Sequence, residues 1–525
     1  MKVLVTEELS AAGLALLREH FEVEERLGLK PEELKAALKD ATAVIVRSKT
    51  QLKGTLLDGT SLKVIGRAGV GYDNIDLDAA SRNGILVMNV PDGSTISACE
   101  HTFALLMSLV RRVPEAHAAM RQGKWRRDLM GNELYGKTMG VIGLGKIGAE
   151  VARRARAFEM KVIGYDPYLT QERADAMEVT LLPLKELLPQ ADVITLHVPL
   201  TESTRHLIGA KEFEMMRPGA CLINCARGPL VDEEALAAAL EAKRIGGAAV
   251  DVYAVEPPDF TGPLLSKHFP NLITTPHLGA STVEGQEKVA TIIAQQVTRA
   301  LIDEDFLNSV NLPRISKEMM EKVRPYIRLA ERLASFAIQL QRGLPGESEL
   351  AFEGDVARLD TEFIALGAMK GFLEQVVEGQ VTYVNAPLLA REKGFKLATV
   401  KRQAQANYRS AVVLTLPGKA PLVLGGTVNA RGEPRLIQVN DYRMDFPLEG
   451  RFLVIEHQDQ PGAVGRVGTV LGNSHINIDR MEVCRKGQHQ AAMMIITVDD
   501  AIPPRVMDNL GELDDVQRCM AIQIQ

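Results

Sequence analysis

The sequence Val141-Ile142-Gly143-Leu144-Gly145-Lys146-Ile147-Gly148 is a G-x-G-x-x-G loop, and an apolar stretch that begins at Met139 leads into it. Apolar residues then recur at helical spacing as far as Phe158. The next apolar run, Lys161 to Tyr165, ends at an acidic residue, Asp166. A strand, a glycine turn, a helix, a second strand and an acid in this order predict a βαβ unit that binds a dinucleotide.

Each part of this loop has a physical task in such a unit. Gly143 permits the tight turn, Gly145 lets the backbone approach the pyrophosphate, and Gly148 lets the helix pack closely on the strand. The pyrophosphate would lie on the free N–H groups at the start of the helix. Asp166 would accept hydrogen bonds from both ribose hydroxyls and repel a 2′-phosphate, so we expect NAD rather than NADP.

Composition narrows the class of protein. A chain of 525 residues is expected to contain about three or four domains. The net charge of −6 is spread along the chain, so we expect no nucleic-acid partner. No apolar run approaches the roughly 18 residues that span a bilayer, and the first residues predict a strand rather than a signal peptide, so we expect no membrane partner. The five cysteines lack C-x-x-C spacing, which predicts reduced thiols in the cytoplasm and no metal site.

The first 97 residues alternate short apolar runs with helical patterns, which predicts an α/β domain with a parallel sheet. The predicted strands are Lys2–Val5, Ala43–Val46, Lys63–Ile65 and Ile85–Met88. Arg47 and Arg67 follow two of them, at the sheet edge where open α/β folds bind ligands. In Arg67-Ala68-Gly69-Val70-Gly71 the glycines would let backbone amides join Arg67 around an anion.

A second domain is predicted to begin at Ser97-Ala98-Cys99-Glu100, a capping box at the start of a helix from Ala98 to about Arg112. This domain contains the glycine loop and a doubly wound sheet. Its further predicted strands are Ala191–His197, Ala220–Asn224, Ala248–Asp251 and Leu272–Thr275. The helical pattern from Thr282 to Leu301 is expected to return the chain to the first domain, which would make that domain discontinuous.

Three polar residues follow the last three of these strands: Arg227, Glu256 and His277. Because the carboxyl ends of parallel strands share one sheet edge, we expect these side chains to lie where the nicotinamide must bind. Exchange of a hydride with a 2-hydroxy acid requires a base for the hydroxyl proton, an acid that tunes this base, and a cation for the carboxylate. The three residues supply this set.

Residues 1 to about 310 resemble the D-2-hydroxyacid dehydrogenase family. The stretches that carry the resemblance are Val46-Arg47-Ser48, Arg67-Ala68-Gly69 with Asp73-Asn74, Gly143 to Gly148, Tyr165-Asp166-Pro167, Asn224 to Gly228, the loop that holds Glu256, and Pro276 to Thr282. The resemblance implies that His277 is the acid–base residue and Glu256 its carboxylate partner. It implies that Arg227 binds the substrate carboxylate and polarises the C2 oxygen.

The resemblance also implies which residues contact the ligands. The cofactor-binding residues would be Gly143, Gly145, Lys146, Ile147, Gly148, Asp166, Cys225, Ala226, Arg227, Asp251, His277, Gly279 and Ala280. The substrate-binding residues would be Arg47, Ser48, Arg67, Gly69, Asn74, Arg227 and His277. Some relatives have a further phosphate-binding arginine after the stretch Gly123-Lys124-Trp125, and both Arg126 and Arg127 align with it.

The remaining residues predict two more domains. Between about Arg314 and Phe446, two helical runs precede β-rich runs, which indicates an α+β domain. It resembles the intervening domain of long bacterial family members, which in some of them senses an anion. Residues 451–525 follow the order β-α-β-β-α-β of a ferredoxin-like sandwich. With Asp459-Gln460-Pro461-Gly462-Ala463 at the first turn, this part resembles an ACT domain, a module that binds amino acids.

The expected fold is therefore α/β, with two doubly wound parallel-sheet domains followed by two smaller ones. These are a discontinuous substrate domain (1–97 and 283–310), a Rossmann NAD domain (98–282), an α+β intervening domain (314–446) and a ferredoxin-like ACT domain (451–525). The resemblance implies NAD-dependent oxidation of 3-phospho-D-glycerate to 3-phosphohydroxypyruvate, which begins the phosphorylated route to L-serine. Two alternatives stay open: a glyoxylate or hydroxypyruvate reductase of the same family, and a non-catalytic NAD-sensing scaffold.

The resemblance to an ACT domain extends the prediction to control and assembly. We expect L-serine to act as an effector that contacts His457 and Asp459 of one chain and Asn477 of another. Such a site would form where two ferredoxin-like sheets pair edge to edge, because an unpaired sheet edge favours association. We therefore expect a homo-oligomer, with a tetramer as the assembly.

Overall fold

The computed structural model describes residues 1–341, 343–404, 408–418, 420–485 and 490–524, so Gln525, where the last predicted domain ends, lies outside the described residues. The described residues form four sheets along the chain, of five, seven, six and four strands. The first two sheets are parallel and carry helices, the third is mixed, and the fourth is antiparallel. The predicted fold class is confirmed.

The first sheet is parallel and has helices on both faces. Its strands are β1 (Lys2–Val5), β2 (Glu22–Glu25), β3 (Ala43–Val46), β4 (Val64–Arg67) and β5 (Leu86–Asn89), in the spatial order β2-β1-β3-β4-β5. Its helices are α1 (Ala11–Arg18), α2 (Pro31–Lys39) and α3 (Leu77–Arg82). Along β1 the side chains alternate, so Val3 and Val5 pack on the side of α1 while Leu4 packs on the side of α2.

Strand β2 was not predicted from the sequence. Three of its four residues are glutamates, and it lies at the sheet edge, where it pairs only with β1. The ion pair of Lys2 with Glu24, at 2.5 Å, joins the two strands on the solvent side. An edge strand with charged side chains carries no apolar alternation, so periodicity does not detect it.

The predicted capping box at Ser97 is wrong. Helix α4 (Thr95–Val110) begins three residues before the predicted start at Ala98, and α5 (Val113–Arg121) follows it. Ser97 thus lies within the first turn of α4, and its hydroxyl shares a 2.7 Å hydrogen bond with the hydroxyl of Thr282. A partner from a distant part of the chain has replaced the local capping contact.

The second sheet is a doubly wound parallel sheet that surrounds the glycine loop. Its strands are β6 (Thr138–Ile142), β7 (Lys161–Tyr165), β8 (Thr180–Leu181), β9 (Val193–Leu196), β10 (Cys221–Asn224), β11 (Gly247–Val250) and β12 (Leu272–Thr274), in the order β12-β11-β10-β9-β6-β7-β8. Its helices are α6 (Lys146–Ala157), α7 (Gln171–Ala176), α8 (Leu184–Leu187), α9 (Ala210–Met215) and α10 (Glu233–Glu241). The order reverses between β6 and β9, and ligands bind outside the carboxyl ends of strands at such a point.

Helix α11 (Val283–Ile302) returns the chain to the first sheet. Its residues Val289, Ile293 and Val297 are buried in the core that also holds β1 and α1. The close approach of α11 to α1 requires Gly13, since a Cβ there would lie 2.8 Å from the carbonyl oxygen of Ala290. Thr282 caps the helix by accepting the N–H of Gly285 at 3.0 Å.

The third unit packs one long helix against a mixed sheet. Its elements are α12 (Lys317–Gln341), β13 (Glu347–Gly354), α13 (Glu362–Leu373), α14 (Ala386–Glu392), β14 (Lys396–Arg402), β15 (Ser410–Leu416), β16 (Leu422–Val428), β17 (Pro434–Val439) and β18 (Tyr442–Pro447). The sheet order is β14-β13-β15-β16-β17-β18. The sequence predicted two helical runs followed by β-rich runs, but it did not predict β13, which lies between α12 and α13, or α14, β14 and β18.

The fourth unit has the predicted β-α-β-β-α-β order. Its elements are β19 (Gly450–Gln458), α15 (Ala463–Asn473), β20 (Ile478–Arg485), β21 (Ala491–Val498), α16 (Pro504–Gly511) and β22 (Val516–Ile524), with the sheet order β20-β21-β19-β22. One sheet face carries its own helices, and the other packs on α12, where the rings of Phe336 and Phe452 meet edge-on at 5.5 Å. The third and fourth units therefore share one core.

None of the described helices combines the length and the apolar character that are needed to cross a bilayer.

Candidate active site

The three residues that were predicted to carry the chemistry follow three adjacent strands. Arg227 lies three residues past β10, Glu256 lies past β11, and His277 lies three residues past β12. Strand β11 pairs with both β10 and β12 in parallel, so the three loops leave the same edge of the sheet. The glycine loop leaves that edge too, after β6.

Glu256 orients the ring of His277. The Nδ1 atom of His277 lies 2.6 Å from Oε2 of Glu256, and Oε1 of Glu256 accepts the N–H of Tyr253 at 3.2 Å. A carboxylate at Nδ1 holds the proton there and stabilises the imidazolium that forms when Nε2 takes up a proton. Nε2 is then the ring nitrogen available to a substrate.

The backbone of His277 is held in an uncommon conformation. Its φ is 57°, in the left-handed region that costs a residue with a side chain about 1–3 kcal/mol. The next two amides, of Leu278 and Gly279, each donate to the buried carboxylate of Asp251 at 2.8 Å. The structure therefore fixes the His277 ring through Glu256 and the backbone that follows His277 through Asp251.

Asp251, a predicted cofactor contact, is fully buried and its carboxylate is occupied by protein groups. Oδ1 also accepts the hydroxyl of Thr275 at 2.5 Å and lies 3.2 Å from Nε2 of His101. Burial by itself raises the pKa of Asp251, but the hydrogen bonds from His101 and Thr275 outweigh it, so the pKa lies below its ordinary value. The carboxylate is ionised at neutral pH.

The glycine loop has the shape that a pyrophosphate requires. Gly143 has φ 91°, and a Cβ there would lie 2.6 Å from the carbonyl oxygen of His197. A Cβ on Gly148 would overlap the carbonyl oxygen of Gly143, whereas no described atom lies within 4 Å of a Cβ built on Gly145. The turn and the close packing thus need glycine, and the space above Gly145 at the start of α6 is free for an anion.

The other predicted cofactor residues surround this loop. Asp166, at the end of β7, accepts the N–H of Leu144 and of Tyr168, each at 2.9 Å, with one oxygen for each. The remaining lone pairs of these oxygens can accept the hydroxyls of a ribose. Burial raises the pKa of the Cys225 thiol to about 12, so the thiol is uncharged at neutral pH and Cys225 is not a nucleophile.

Arg67 is a buried cation without a full set of partners. Its Nε is buried and lacks a hydrogen-bond partner among the described residues, and its Nη1 donates weakly to the carbonyl of Ala68 at 3.3 Å. Burial, together with the charges of Arg227 and Arg47, lowers the pKa of Arg67 to about 10, which still leaves it charged at neutral pH. The guanidinium lies where a Cβ on Gly69 would be, so that position requires glycine. Clustered arginines with an unpaired donor fit an anion such as a phosphate.

The loop that holds Arg47 and Ser48 is fixed by two buried or half-buried side chains. The Glu7 carboxylate accepts the N–H groups of Arg47 at 2.9 Å and of Thr50 at 2.9 Å. Asn74, a predicted substrate contact, donates its amide to the carbonyls of Arg47 at 2.9 Å and Thr50 at 2.7 Å. In the structure, the Asn74 amide therefore binds the backbone of the loop that holds Arg47 and Ser48.

Among the described residues, two ion pairs cross from the first α/β unit to the second. Arg227 Nε donates to Oδ2 of Asp73 at 3.2 Å, and a Cβ on Gly71 would overlap its Nη2. Lys146, the first residue of α6, pairs with Asp92. The carboxylate of Asp73 thus holds the guanidinium that was predicted to bind the substrate carboxylate.

Sequence reasoning missed several residues that build this site. Glu7 lies just past β1, at the same strand edge as Arg47 and Arg67, so the strand-end argument should have included it. Asp92 and His101 had no local signal, because their partners lie far away in the sequence. Among the described residues, no group of three or more His, Cys, Asp or Glu side chains is arranged to hold a metal ion.

The segment that holds Arg126 and Arg127 is exposed in this chain. Arg126 donates to Asp128, with Nε and Oδ1 at 2.8 Å, and lies 3.8 Å from Glu115. The neighbouring Trp125 and Met130 are 77% and 84% exposed. Neither arginine contacts the site residues in any recorded hydrogen bond or ion pair of the described chain.

The predicted serine contacts lie at opposite ends of the fourth sheet. Asp459 follows β19 and pairs with Arg485 at 3.2 Å, whereas Asn477 precedes β20 and donates to Asp499 at 2.7 Å. His457 is 1% exposed, and its buried Nε2 has no hydrogen-bond partner among the described residues. One chain alone therefore does not bring Asp459 and Asn477 together.

Three family models match the chain in succession. They are the NAD binding domain of D-isomer specific 2-hydroxyacid dehydrogenases at residues 103–279, the D-3-phosphoglycerate dehydrogenase intervening domain at 322–440, and the ACT domain at 451–515. The second α/β unit is therefore a binding domain for a nicotinamide cofactor, and the last two units are an intervening and an ACT domain.

Individual relatives agree with these matches. The chain is 40% identical to the D-3-phosphoglycerate dehydrogenase of Methanocaldococcus jannaschii over 529 aligned positions, which cover 100% of both chains. The structure of the TT0316 protein from Thermus thermophilus is 36% identical with a TM-score of 0.55, over 59% of this chain and 100% of that one. The D-lactate dehydrogenase of Aquifex aeolicus, complexed with NAD and lactic acid, is 29% identical with a TM-score of 0.53, over 60% of this chain and 100% of its own. Because full-length relatives align with the full chain at this identity, the chain belongs to the D-3-phosphoglycerate dehydrogenase family.

Proposed function

We propose that the chain catalyses the NAD-dependent oxidation of 3-phospho-D-glycerate at C2 to 3-phosphohydroxypyruvate, the first step of the phosphorylated route to L-serine. The observation that carries the proposal is the combination of the His277–Glu256 pair with three arginines, Arg47, Arg67 and Arg227, whose charges act on one another. A substrate with a carboxylate at one end and a phosphate at the other needs such a cluster.

The proposed chemistry assigns one task to each residue. Arg227 exchanges Asp73 for the substrate carboxylate, and Arg47 and Arg67 bind the phosphate. Neutral His277 accepts the C2 hydroxyl proton at Nε2, while Glu256 at 2.6 Å from Nδ1 stabilises the positive charge that develops on the ring. The nicotinamide, when bound, supplies the hydride acceptor. The glycine loop and Asp166 would hold the dinucleotide, and the carboxylate of Asp166 would repel the 2′-phosphate of NADP.

One assay tests the reaction and separates it from the alternatives. NADH formation is measured with 3-phosphoglycerate under removal of the product, beside glycerate, D-lactate and glycolate at equal concentrations, and the reaction is repeated with NADP. We expect the highest kcat/KM for 3-phosphoglycerate with NAD. A preference for an unphosphorylated acid would favour the glyoxylate or hydroxypyruvate reductase alternative. Dinucleotide binding without turnover of any of these acids would favour the sensing scaffold.

The proposed assembly is a homo-oligomer, with a tetramer as the expected form. Large apolar side chains are exposed along one segment, namely Met120, Trp125, Met130 and Tyr135, between 56% and 84% exposed. A monomer rarely exposes so many large apolar side chains together, and a second copy of the chain would cover them. Light scattering after size-exclusion chromatography gives the mass, and a monomer at micromolar concentration would contradict the proposal.

L-serine is the proposed effector, and the ACT domain is its proposed binding site. The observation that favours this is the side chain of His457, which lies in β19 two residues before Asp459. Its buried Nε2 has no hydrogen-bond partner among the described residues. A buried polar atom without a partner costs about 1–3 kcal/mol, and a ligand hydroxyl or carboxylate at this point would satisfy it. We further propose a cytoplasmic location, which the five unpaired cysteines favour.

A further inference from the structure

A polar cluster joins helix α4 to the loop that carries His277. Nε2 of His101 lies 3.2 Å from Oδ1 of Asp251 and 3.3 Å from Oγ1 of Thr275. The three residues come from three elements: α4, the end of β11 and the end of β12. The His101 side chain is only 18% exposed and the Asp251 side chain is fully buried, so water competes little for these contacts.

The hydrogen bonds of the cluster determine which nitrogen of His101 carries the proton. The Thr275 hydroxyl donates its proton to Asp251 at 2.5 Å. Asp251 is ionised and can only accept hydrogen bonds. Nε2 of His101 must therefore carry a hydrogen, which it donates to Oδ1 of Asp251 and Oγ1 of Thr275. His101 is therefore a donor that holds a buried anion.

The buried anion in turn holds the catalytic loop. Asp251 accepts the N–H groups of Leu278 and Gly279, the two residues that follow His277. His277 has φ 57°, a conformation that persists only where the surroundings impose it. A carboxylate that loses one of its donors is held less firmly, and the hydrogen bonds that it accepts from the two amides are then weakened.

Helix α4 holds the far end of the same loop as well. Near its start, Ser97 shares a 2.7 Å hydrogen bond with Thr282, the residue that caps α11. The loop between β12 and α11 is thus attached to α4 at two points, through Asp251 and Thr275 at one end and through Thr282 at the other. This helix connects the first α/β unit to the second.

We propose that His101 is a positioning residue for the acid–base chemistry: its Nε2–H keeps Asp251 aimed at the Leu278 and Gly279 amides and so keeps His277 in its working conformation. The inference rests on the proposed role of His277. His101 lies outside the glycine loop, the arginine cluster and the His277–Glu256 pair, and it acts on the reaction through Asp251 and Thr275.

The test replaces His101 by Leu and by Gln. His101→Leu removes the donor at similar volume, while His101→Gln keeps an N–H donor at a similar distance from the backbone. We expect His101→Leu to lower kcat about 10- to 100-fold, because a small displacement of a catalytic group is sufficient for this. The KM for 3-phosphoglycerate should stay within about twofold, since the arginines are untouched, and His101→Gln should recover most of kcat.

A matched control separates positioning from general damage to α4. Phe103→Leu changes a buried residue of the same helix, which stacks on Phe158 at 5.4 Å and makes no recorded contact with Asp251. We expect this variant to lose thermal stability and keep kcat. Unchanged kcat in His101→Leu, or equal losses in the Leu and Gln variants, would overturn the proposal.

A second readout does not depend on turnover. Amide hydrogen exchange of the peptide that contains residues 276–284 should be faster in His101→Leu than in the wild type and in His101→Gln, because Asp251, which accepts the Leu278 and Gly279 amides, is held less firmly. This change in a protein without measurable oxidation of 3-phosphoglycerate would support the positioning role and contradict the proposed function. Unchanged exchange in His101→Leu would overturn the positioning role itself.

Discussion

At the scale of single residues, His277 combines an uncommon backbone conformation with a short contact to Glu256. Its φ of 57° is stabilised by contacts on both sides, from the Glu256 carboxylate at 2.6 Å and from the amides bound to Asp251. Strain of this kind is found where a side chain must point in one direction for chemistry. The ring is therefore oriented before any substrate arrives.

Replacement of His277 by Asn should remove the base and leave the backbone in place, because Asn tolerates the left-handed region. We expect His277→Asn to lower kcat by about 10²–10⁴, the usual contribution of a general base. Dinucleotide affinity and the melting temperature should change little. Steady-state kinetics, calorimetric titration with NAD and thermal unfolding measure the three quantities.

His206 provides a matched control for this variant. It too has a left-handed backbone, with φ 51°, and its Nδ1 lies 4.0 Å from a carboxylate, that of Asp232. His206→Asn should keep the kcat of the wild type. If it lost as much activity as His277→Asn, backbone strain and not proton transfer would account for both losses.

Asp73 competes with the substrate for Arg227. Its carboxylate lies 3.2 Å from Nε of Arg227. Asp73→Asn removes this competitor and one negative charge beside the arginine cluster. An exposed ion pair is worth about 0.2–1 kcal/mol, so the KM for 3-phosphoglycerate should fall up to about fivefold.

The control for Asp73 is Asp78→Asn, on an exposed face of α3. It changes the net charge by the same amount without contact to Arg227. It should leave KM within experimental error at moderate salt, where distant charges are screened. A rise of KM in Asp73→Asn would mean that Asp73 orients Arg227 for the substrate and does not compete with it.

The sequence alone predicted that Arg227, Glu256 and His277 lie at one sheet edge. Apolar runs predict the strands, and the carboxyl ends of parallel strands share one edge of the sheet. The sequence did not reveal the tasks of Asp251 or His101. Their contacts join residues that are far apart in the chain, and no local pattern records which buried acid meets which donor. The residues at the strand ends of the candidate site were therefore predictable, and the residues that support them were not.

At the scale of elements, the glycine loop yields a pair of variants with different outcomes. A Cβ on Gly145 meets no described atom within 4 Å, but it would enter the space of a pyrophosphate. Gly145→Ala should raise the KM for NAD about tenfold or more by weakening charged hydrogen bonds, with the melting temperature unchanged. Gly148→Ala should also destabilise the fold, by about 1–3 kcal/mol, because its Cβ overlaps the Gly143 carbonyl.

Equal melting temperatures of these two variants would contradict the packing argument. Titration of each variant with NAD, followed by calorimetry, separates loss of binding from loss of fold. A Gly145→Ala enzyme with unchanged NAD affinity would show that the pyrophosphate does not lie at this helix start.

The loop of Arg47 should make stability depend on pH through Glu7. Burial raises the pKa of Glu7, but the N–H groups of Thr50, Arg47 and Lys49 outweigh this effect, so the pKa lies below its ordinary value of 4.5. A carboxylate with a lowered pKa adds stability above its unfolded pKa and loses it as the pH falls through the folded value. At pH 7, Glu7→Gln should therefore lower the free energy of unfolding by about 1–2 kcal/mol, which is measured as a lower urea midpoint.

The difference between wild type and Glu7→Gln should shrink as the pH falls below 4.5, since protonation removes the charge from the wild-type side chain. Glu8→Gln is the control, because it makes the same charge change on an exposed neighbour. It should leave the urea midpoint nearly unchanged at every pH. A constant difference between wild type and Glu7→Gln across the pH range would mean that shape and not charge holds the loop.

Elements that bury one face were predicted well, and those at sheet edges were not. Strand β7 (Lys161–Tyr165) agrees with the predicted bounds, since Val162 and Ile163 at its centre are apolar and buried. Strands β2 and β14 lie at edges, have no buried residue and include charged side chains, so they lack the apolar signal. Helix α4 begins earlier than predicted, and Ser97 in its first turn contacts Thr282, a partner that only the folded chain supplies.

At the scale of the whole molecule, α12 connects the dehydrogenase units to the ACT domain. Near its start, Arg324 donates to the carbonyl of Asp303, just past α11, at 2.8 Å. Near its end, the Gln339 amide bonds both backbone groups of Gln523 on the edge strand β22, at 2.9 and 3.0 Å. Arg324 and Gln339 are 15 residues apart, about 22 Å along a helix, so one helix contacts both the first α/β unit and the ACT sheet.

The two ends of the ACT sheet explain why the proposed serine site requires a second copy of the chain. Asp459 follows the carboxyl end of β19. Asn477 lies at the opposite end of the sheet, near the start of β19, where it donates to Asp499. Strands β20 and β22 are the two edges of the described sheet, and at the β22 edge the Gln339 side chain bonds the backbone of Gln523. Antiparallel pairing of two β20 edges would bring the Asp459 end of one sheet toward the Asn477 end of the other.

Serine should therefore inhibit the assembled enzyme through the ACT domain. A serine ammonium would take the place of Arg485 on Asp459, and its hydroxyl or carboxylate would meet Nε2 of His457, which has no described partner. We expect millimolar serine to lower the activity of the wild type, and Asp459→Ala to resist serine with an unchanged kcat in its absence. Asp508→Ala, which removes an exposed acid on α16, should stay sensitive. Because the site is remote from the reaction, its effect must pass through a change in subunit or domain position. If serine changes neither the rate nor the melting temperature of the wild type, the ACT domain serves assembly alone.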